Sequence, residues 1–263
     1  MKRLGKIGLV CSFFILLSSC DVLQSVATLP GTGSLPLTEN EIIQGLKEAL
    51  STGLDSSVKT ASATNGYLRN EAIKILLPQD VLNLKNKIEG NTVASAAYKT
   101  YVRKFNGGKD LFNELLTSMN RGAEKAATKA GPIFVGAIKS MNINDARGIL
   151  NGGDKAATQY FQRTTSSKLF SAFNPEVKNA LDNTGASKVY KTTYDFLSYD
   201  PGGFGLTTVG KLLDVSIAPS LDQYATNKAI DGLFHLVGEE ETKIRANPYN
   251  YGKQILERVF GNK

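Results

Sequence analysis

Six polar residues in the middle of the chain are the first candidates for a binding or catalytic site. They lie in segments that are otherwise small or apolar, and they are Arg121, Glu124, Asp145, Arg147, Asp154 and Thr158. Arg121 and Glu124 are three residues apart, so a helix places them on one face. A cleft lined by such residues would bind an anion or a peptide group. An internal network of salt bridges and helix caps is the commoner arrangement, and the sequence leaves both interpretations open.

The chain has a single histidine, His235, followed by three consecutive carboxylates at positions 239–241. One histidine cannot supply a multi-histidine metal site, and a Ser-His-Asp triad would depend wholly on it. We therefore expect a packed or surface histidine. Carboxylates at successive helical positions point about 100° apart, so three of them cannot converge on one cation. A solvated helix start is the expected setting for Glu239, Glu240 and Glu241. We predict no metal site, no catalytic residue and no cofactor.

A glycine-rich segment, Gly202-Gly203-Phe204-Gly205, lies in the least regular stretch of the chain. It lacks the Gly-Lys-Ser/Thr ending of a phosphate-binding loop. Three aromatic residues precede it: Tyr194, Phe196 and Tyr199. The segment is either an ordinary connection or a mobile aromatic recognition loop.

The two cysteines are Cys11 and Cys20, both near the start of the chain. Lys2, Arg3 and Lys6 precede an apolar run of about ten residues, the length of a signal-peptide core and too short to span a bilayer. The string Leu17-Ser18-Ser19-Cys20 then resembles the lipobox of bacterial lipoproteins.

This resemblance implies diacylglycerol on the Cys20 sulfur, cleavage before Cys20 and acylation of the new amine, which together give stable anchoring. An ordinary secretory peptide and an uncleaved membrane helix are the alternatives. The predicted organisation is a signal peptide over 1–19, a lipidated cysteine with a flexible linker over 20–37 and a helical domain over 38–263.

Composition limits the chemistry of the mature domain. Of 263 residues 41% are hydrophobic, enough for a real core, and the net charge of +7 falls by three to +4 when the signal is removed. Positive charges are mixed with acidic ones, so nucleic acid is not an expected partner. With no cysteine beyond Cys20, the mature domain has no thiol catalysis, zinc-thiolate site or disulfide.

The linker and the first helix have clear signals. Residues 21–37 are rich in Ser, Thr, Gly and Pro, and as a flexible coil their ends lie roughly 20–25 Å apart. Asp21 resembles an enterobacterial inner-membrane retention signal, but sorting differs among bacteria, so the membrane stays open. Thr38 and Glu41 form a capping box, which predicts a helix from Thr38 to about residue 61.

Apolar spacing and turn residues predict roughly ten to twelve helices with short connections and no repeat. After the first, these helices cover about 79–88, 93–105, 109–130, 132–141, 145–150, 155–163, 166–173, 175–181, 188–197, 221–237 and 250–260. Asn144 or Asp145 is the expected cap of the short helix before residue 150, and Asp154 that of the next. The run at 72–77 is a brief strand or a helix end. The expected fold is all-α, a single bundle-like domain with at most one or two very short strands.

Several strings together carry a family resemblance that covers about residues 37–261. They are Leu46-Lys47-Glu48-Ala49-Leu50, Asp145-Ala146, Ile149-Leu150, Ala156-Ala157-Thr158-Gln159-Tyr160-Phe161, Leu221-Asp222, Lys228-Ala229-Ile230-Asp231-Gly232-Leu233-Phe234, Asn247-Pro248 and Val259-Phe260-Gly261. The chain resembles a bacterial family of secreted or lipid-anchored helical proteins catalogued only as a domain of unknown function (DUF4197). The resemblance implies a single domain in a Gram-negative cell envelope, and it supplies no catalytic residues.

These observations favour a non-enzymatic envelope lipoprotein that binds a partner protein or an apolar small molecule and faces the periplasm or the cell surface. A hydrolase or transferase that acts on envelope material through carboxylates is the alternative. Lipid carriage is a further alternative, and it would need a sizeable internal cavity.

Overall fold

The computed structural model describes residues 38–184, 186–203, 208–213 and 221–251, which lie within one compact unit, Leu37–Lys263. These residues form ten α-helices and a closing 3-10 helix (Pro248–Tyr251), and they contain no strand. The all-α prediction is therefore confirmed. The helices are α1 (Glu39–Ser62), α2 (Gln79–Glu89), α3 (Thr92–Phe105), α4 (Leu111–Ala127), α5 (Ala130–Ser140), α6 (Ile143–Asn151), α7 (Ala156–Thr184), α8 (Ala186–Leu197), α9 (Val209–Leu213) and α10 (Asp222–Ala246).

The predicted signal, Cys20 and the linker lie outside the described residues, as do residues 204–207 and the predicted last helix beyond residue 251. No helix within the described ranges is long and apolar enough to cross a bilayer.

Helix α1 begins where the sequence predicts. The Thr38 hydroxyl accepts a hydrogen bond from the Glu41 amide, and the Glu41 carboxylate accepts one from the Thr38 amide at 2.8 Å. This capping box satisfies donors that a helix start leaves open. The buried face of α1 packs against α4, α5 and α10.

Helix α7 runs unbroken through three segments that were predicted as separate helices, so that prediction is wrong. Pro175 lies inside it. Every fourth residue on one face is buried. This stripe includes Leu169 and Phe173 before the proline and Val177 and Leu181 after it. Because α4 and α10 pack on this helix, burial of the stripe outweighs the loss of one backbone hydrogen bond at Pro175.

Two predicted helix starts are also wrong. Asn142, rather than Asn144 or Asp145, caps α6, and Asp145 completes the capping box three residues later. Glu239, Glu240 and Glu241 lie in the last third of α10, because its apolar face continues through Gly238 to Ile244. The carboxylates are therefore not a solvated helix start.

Gly232 allows the connection between α1 and α2 to lie directly on α10. A Cβ at this position would lie 2.8 Å from the Tyr67 ring and 3.1 Å from the Ile73 Cβ. Gly136, on the exposed side of α5, has nothing within 4 Å of the corresponding point. The two helical glycines thus differ in the space around them and not in their secondary structure.

We expect Gly232→Ala to destabilise the protein by about 1–3 kcal/mol, because the new methyl group overpacks the Tyr67 contact. Gly136→Ala should stabilise it by about 0.5–1 kcal/mol, since alanine favours a helix. Urea unfolding of both variants measures the difference. Equal effects at the two sites would contradict this packing.

Candidate functional site

Arg121 and Glu124 of α4 form one internal network. Arg121 Nη1 lies 2.6 Å from Glu124 Oε2, and the Glu124 side chain is almost fully buried. Glu124 Oε1 accepts hydrogen bonds from the backbone amides of Tyr67 and Leu68, both at 3.2 Å. Arg121 Nη2 donates to the Asn65 side chain at 2.8 Å. The pair therefore holds the turn after α1, where Asn65 adopts a positive φ of 68°.

Asn120, the neighbour of Arg121, holds the next part of the same connection. Its Oδ1 accepts from the Ile75 amide and its Nδ2 donates to the Ile75 carbonyl, each at 2.8 Å. The amide group thus replaces the partner strand that residues 72–77 would otherwise require. The sequence pattern predicted a short strand or helix end here, and the structure shows an irregular segment paired with a side chain.

Tyr67 links this connection to α10. Its hydroxyl donates to the Ala229 carbonyl at 2.6 Å, and the residue is completely buried. Burial raises the pKa of Tyr67 well above its usual range, and the negative charges of Glu124 and Asp231 add to the shift. The hydroxyl therefore stays protonated as a donor.

Glu241 of α10 forms the second network, at the start of α7. Its carboxylate accepts hydrogen bonds from the Ala157 amide at 2.9 Å and from the Thr158 amide and hydroxyl at 2.8 Å. Arg245 pairs with Glu241 at 2.8 Å and also donates to the Ile149 carbonyl at the same distance. The carboxylate thus caps the positive end of α7, and the guanidinium meets the negative end of α6.

The remaining candidate residues do not join either network. Asp145 is part of the α6 cap, and the exposed Asp154 lies in the turn before α7. Arg147 is exposed and pairs with Glu39. The structure therefore brings Arg121 to Glu124, brings Thr158 to Glu241, and places the others elsewhere.

His235 lies on the exposed side of α10, and its Nε2 is 3.3 Å from Oε1 of Glu239. Within the described ranges, no group of three or more His, Cys, Asp or Glu side chains is placed to hold a metal ion.

The roles of Glu241 and Arg245 were not predicted from the sequence. Their spacing of four residues within a helix was a usable signal for an ion pair. The partner of that pair is the α7 start, more than eighty residues earlier in the chain, and no local pattern identifies it.

A narrow apolar pocket adjoins the Glu241–Arg245 pair. It lies between α1, α6, α7 and α10, and Leu50, Phe161 and Val237 are among its lining residues. Its free volume is about 30 Å³. A cavity needs roughly 10–15 Å³ of such space to hold one water molecule, so this pocket has room for only a few waters.

A larger open groove, the α3 groove, runs along the outside of α3. Its volume is about 430 Å³. The described residues that line it are uncharged: Thr92, Val93, Ala96, Ala97, Thr100, Tyr199 and Pro201. The lining is apolar or hydroxyl-bearing throughout, and Val93 is 57% exposed.

One wall of the α3 groove is held by packed aromatic rings. The Tyr199 ring lies 5.4 Å from Tyr101, which lies 5.3 Å from the buried Phe196. The Tyr199 carbonyl also accepts from the Val209 amide at 3.0 Å. Of the three aromatic residues considered for a mobile recognition loop, Phe196 is therefore buried in the core and Tyr199 is a packed wall of the groove.

The family is settled by comparison of the whole chain with known proteins. The family model described as "Protein of unknown function (DUF4197)" matches residues 36–261, so the chain belongs to this family and the resemblance in its sequence is confirmed. No curated protein and no solved structure matches the chain.

We expect Glu241→Ala to cost about 3–5 kcal/mol, because it leaves Arg245 unpaired in a buried site and removes the acceptor at the α7 start. Asp195→Ala breaks the exposed Lys191–Asp195 pair and should cost about 0–1 kcal/mol. Denaturant unfolding compares the two. Similar small costs would show that Glu241 does not hold α7.

Stability should fall above about pH 10, because the folded protein keeps the Tyr67 proton that the unfolded chain releases. This contribution is present below about pH 10 and is lost as the pH rises towards the elevated pKa. Urea unfolding from pH 8 to 11 should show a smaller decline for Tyr67→Phe than for the wild type. The exposed Tyr194→Phe is the control, and equal slopes for both variants would refute the assignment.

Proposed function

We propose that this chain is a cell-envelope lipoprotein, held at a membrane through acylated Cys20, whose helical domain is a non-enzymatic binding module. The basic n-region, the short apolar run and the four residues ending in Cys20 support the anchor. The domain faces the periplasm or the cell surface of a Gram-negative bacterium. Its partner is another envelope protein.

The observation that carries the binding role is the α3 groove. Among the described residues its lining has no charged side chain, and the exposed Val93 and the Tyr199 ring, which packs on Tyr101, both contribute to it. Such a surface suits an uncharged segment of a partner with small apolar side chains, because little desolvation of charge opposes contact. The groove is preformed, which reduces the ordering cost of binding.

The two alternatives from the sequence have less support. A lipid carrier needs room for an acyl chain, and the apolar pocket of about 30 Å³ is too small for one.

A carboxylate enzyme needs acidic groups aimed into a polar cleft. The two buried carboxylates of the networks above, Glu124 and Glu241, instead accept hydrogen bonds from the chain's own backbone.

For the anchor, we expect metabolic labelling with palmitate to mark the protein in its native host. Cys20→Ala should lose the label and leave the membrane fraction. Cys11→Ala is the matched control, because it changes the signal but leaves the acceptor, and it should keep the label. An unlabelled wild-type protein released freely from membranes would refute the anchor.

For the groove, a photo-crosslinking residue at Val93 should form an adduct with one envelope protein, and Tyr199→Ala should abolish this adduct. The control places the same residue at Val135, which is 44% exposed on α5. Mass spectrometry identifies the products. No discrete adduct at position 93, or the same adduct at both positions, would contradict a role for the groove.

A further inference from the structure

One end of α3 carries an unusual concentration of positive charge. We call it the basic tip and define it as Lys99, Arg103, Lys104, Phe105 and Lys109. Residues 92–109 contain these four cations and no carboxylate. All five side chains are exposed.

Most of this charge is not neutralised within the part of the chain that the structure describes. Elsewhere, exposed lysines such as Lys191 and Lys243 pair with carboxylates on their own helices, both at 2.7 Å. Lys99, Arg103 and Lys104 form no ion pair with a described residue. Their positive potential therefore faces solvent.

The acidic groups that follow the tip are already engaged. Asp110 caps α4 and accepts from the Tyr98 hydroxyl at 3.0 Å. Glu114 accepts from Asn106 at 2.7 Å and lies 3.6 Å from Lys109. Among the described residues, only Lys109 of the four cations thus has a carboxylate partner, and that lysine remains 74% exposed.

Phe105 adds an apolar ring to the centre of this charge. It is 53% exposed at the last position of α3, and Lys104 Nζ lies 5.1 Å from its ring centroid. The chain then turns through Gly107 and Gly108, which have positive φ values of 59° and 79°. These glycines permit a left-handed turn, so the helix ends abruptly beyond the exposed ring.

This helix end is a rigid feature. The amides of Asn106 and Gly108 both donate to the Val102 carbonyl, at 2.8 and 2.9 Å. The Phe105 ring also contacts Tyr101 at 4.8 Å between centroids. The basic tip is thus presented on a capped helix.

We infer that the basic tip binds the anionic headgroups of a phospholipid membrane, with Phe105 inserted at the headgroup boundary. Cationic side chains around an exposed aromatic ring are the combination that binds anionic bilayers at their interface. The inference rests on the proposed function in one respect. A tether of 17 residues, 21–37, would keep the domain within reach of the headgroups.

Vesicle flotation tests this contact without the anchor. The protein is the mature chain, residues 20–263, with Cys20→Ser so that it carries no acyl group. We expect it to float with phosphatidylcholine vesicles in which about three in ten lipids are phosphatidylglycerol, and not with phosphatidylcholine alone. Salt at about 1 M should release it, because the Debye length falls to about 3 Å.

Two variants locate the contact. The Arg103→Glu/Lys104→Glu double variant should bind at least about tenfold more weakly, since each basic residue near an anionic surface contributes roughly fivefold. Lys125→Glu/Lys139→Glu makes the same charge change on α4 and α5 and should bind like the parent. The part of vesicle binding that remains at moderate salt should come from the Phe105 ring, so Phe105→Ser should weaken it. Tyr249→Ser removes another exposed aromatic ring and should not. Circular dichroism checks that each variant is folded.

Several results would overturn the inference. These are failure of the parent chain to float, equal binding to neutral vesicles, or equal loss in both charge variants. A photo-crosslinking residue at Phe105 that captures an acidic protein rather than lipid in envelopes would assign the tip to a protein partner. None of these outcomes affects the palmitate labelling of Cys20, so failure of the tip and failure of the anchor are distinguishable.

Discussion

The arrangement of the helices depends most on one buried carboxylate, Glu241 of α10. A helix start leaves backbone amides without partners, and most helices satisfy them with a residue just before the first turn. The exposed Asp154 lies in the turn just before α7, but the backbone amides of Ala157 and Thr158 donate to the carboxylate of Glu241 instead. Arg245 balances this charge and also binds the end of α6. Burying an ion pair is costly, and the additional backbone hydrogen bonds offset that cost.

Three neighbouring residues of α4 serve the connection between α1 and α2 in a similar way. Asn120, Arg121 and Glu124 bind its backbone and its Asn65 side chain at positions that have no helix or strand partner. Polar residues that suggest a binding cleft therefore hold the fold together. The two surfaces for which we propose binding, the α3 groove and the basic tip, lie outside these networks.

The sequence predicts well those features whose causes are local. Thr38 and Glu41 are three residues apart, so the start of α1 follows from a capping box alone. The continuity of α7 does not, because Pro175 signals a break and only burial against α4 and α10 overrides it. In the candidate site the spacing indicated the Arg121–Glu124 pair. The segment that this pair holds is about 57 residues away in sequence, beyond any periodic pattern.

Amide hydrogen exchange on the mature chain with Cys20→Ser, with and without anionic vesicles, is the sharpest test of this arrangement of the protein. The arrangement has Glu241 fix a rigid scaffold and leaves the proposed binding to the outer surface. It predicts slow exchange at Ala157 and Thr158 in both conditions, although first-turn amides normally exchange fast, because Glu241 accepts both amides. Vesicles should add protection only around residues 99–109. Fast exchange at Ala157 and Thr158, or vesicle protection spread across the core helices, would contradict the account.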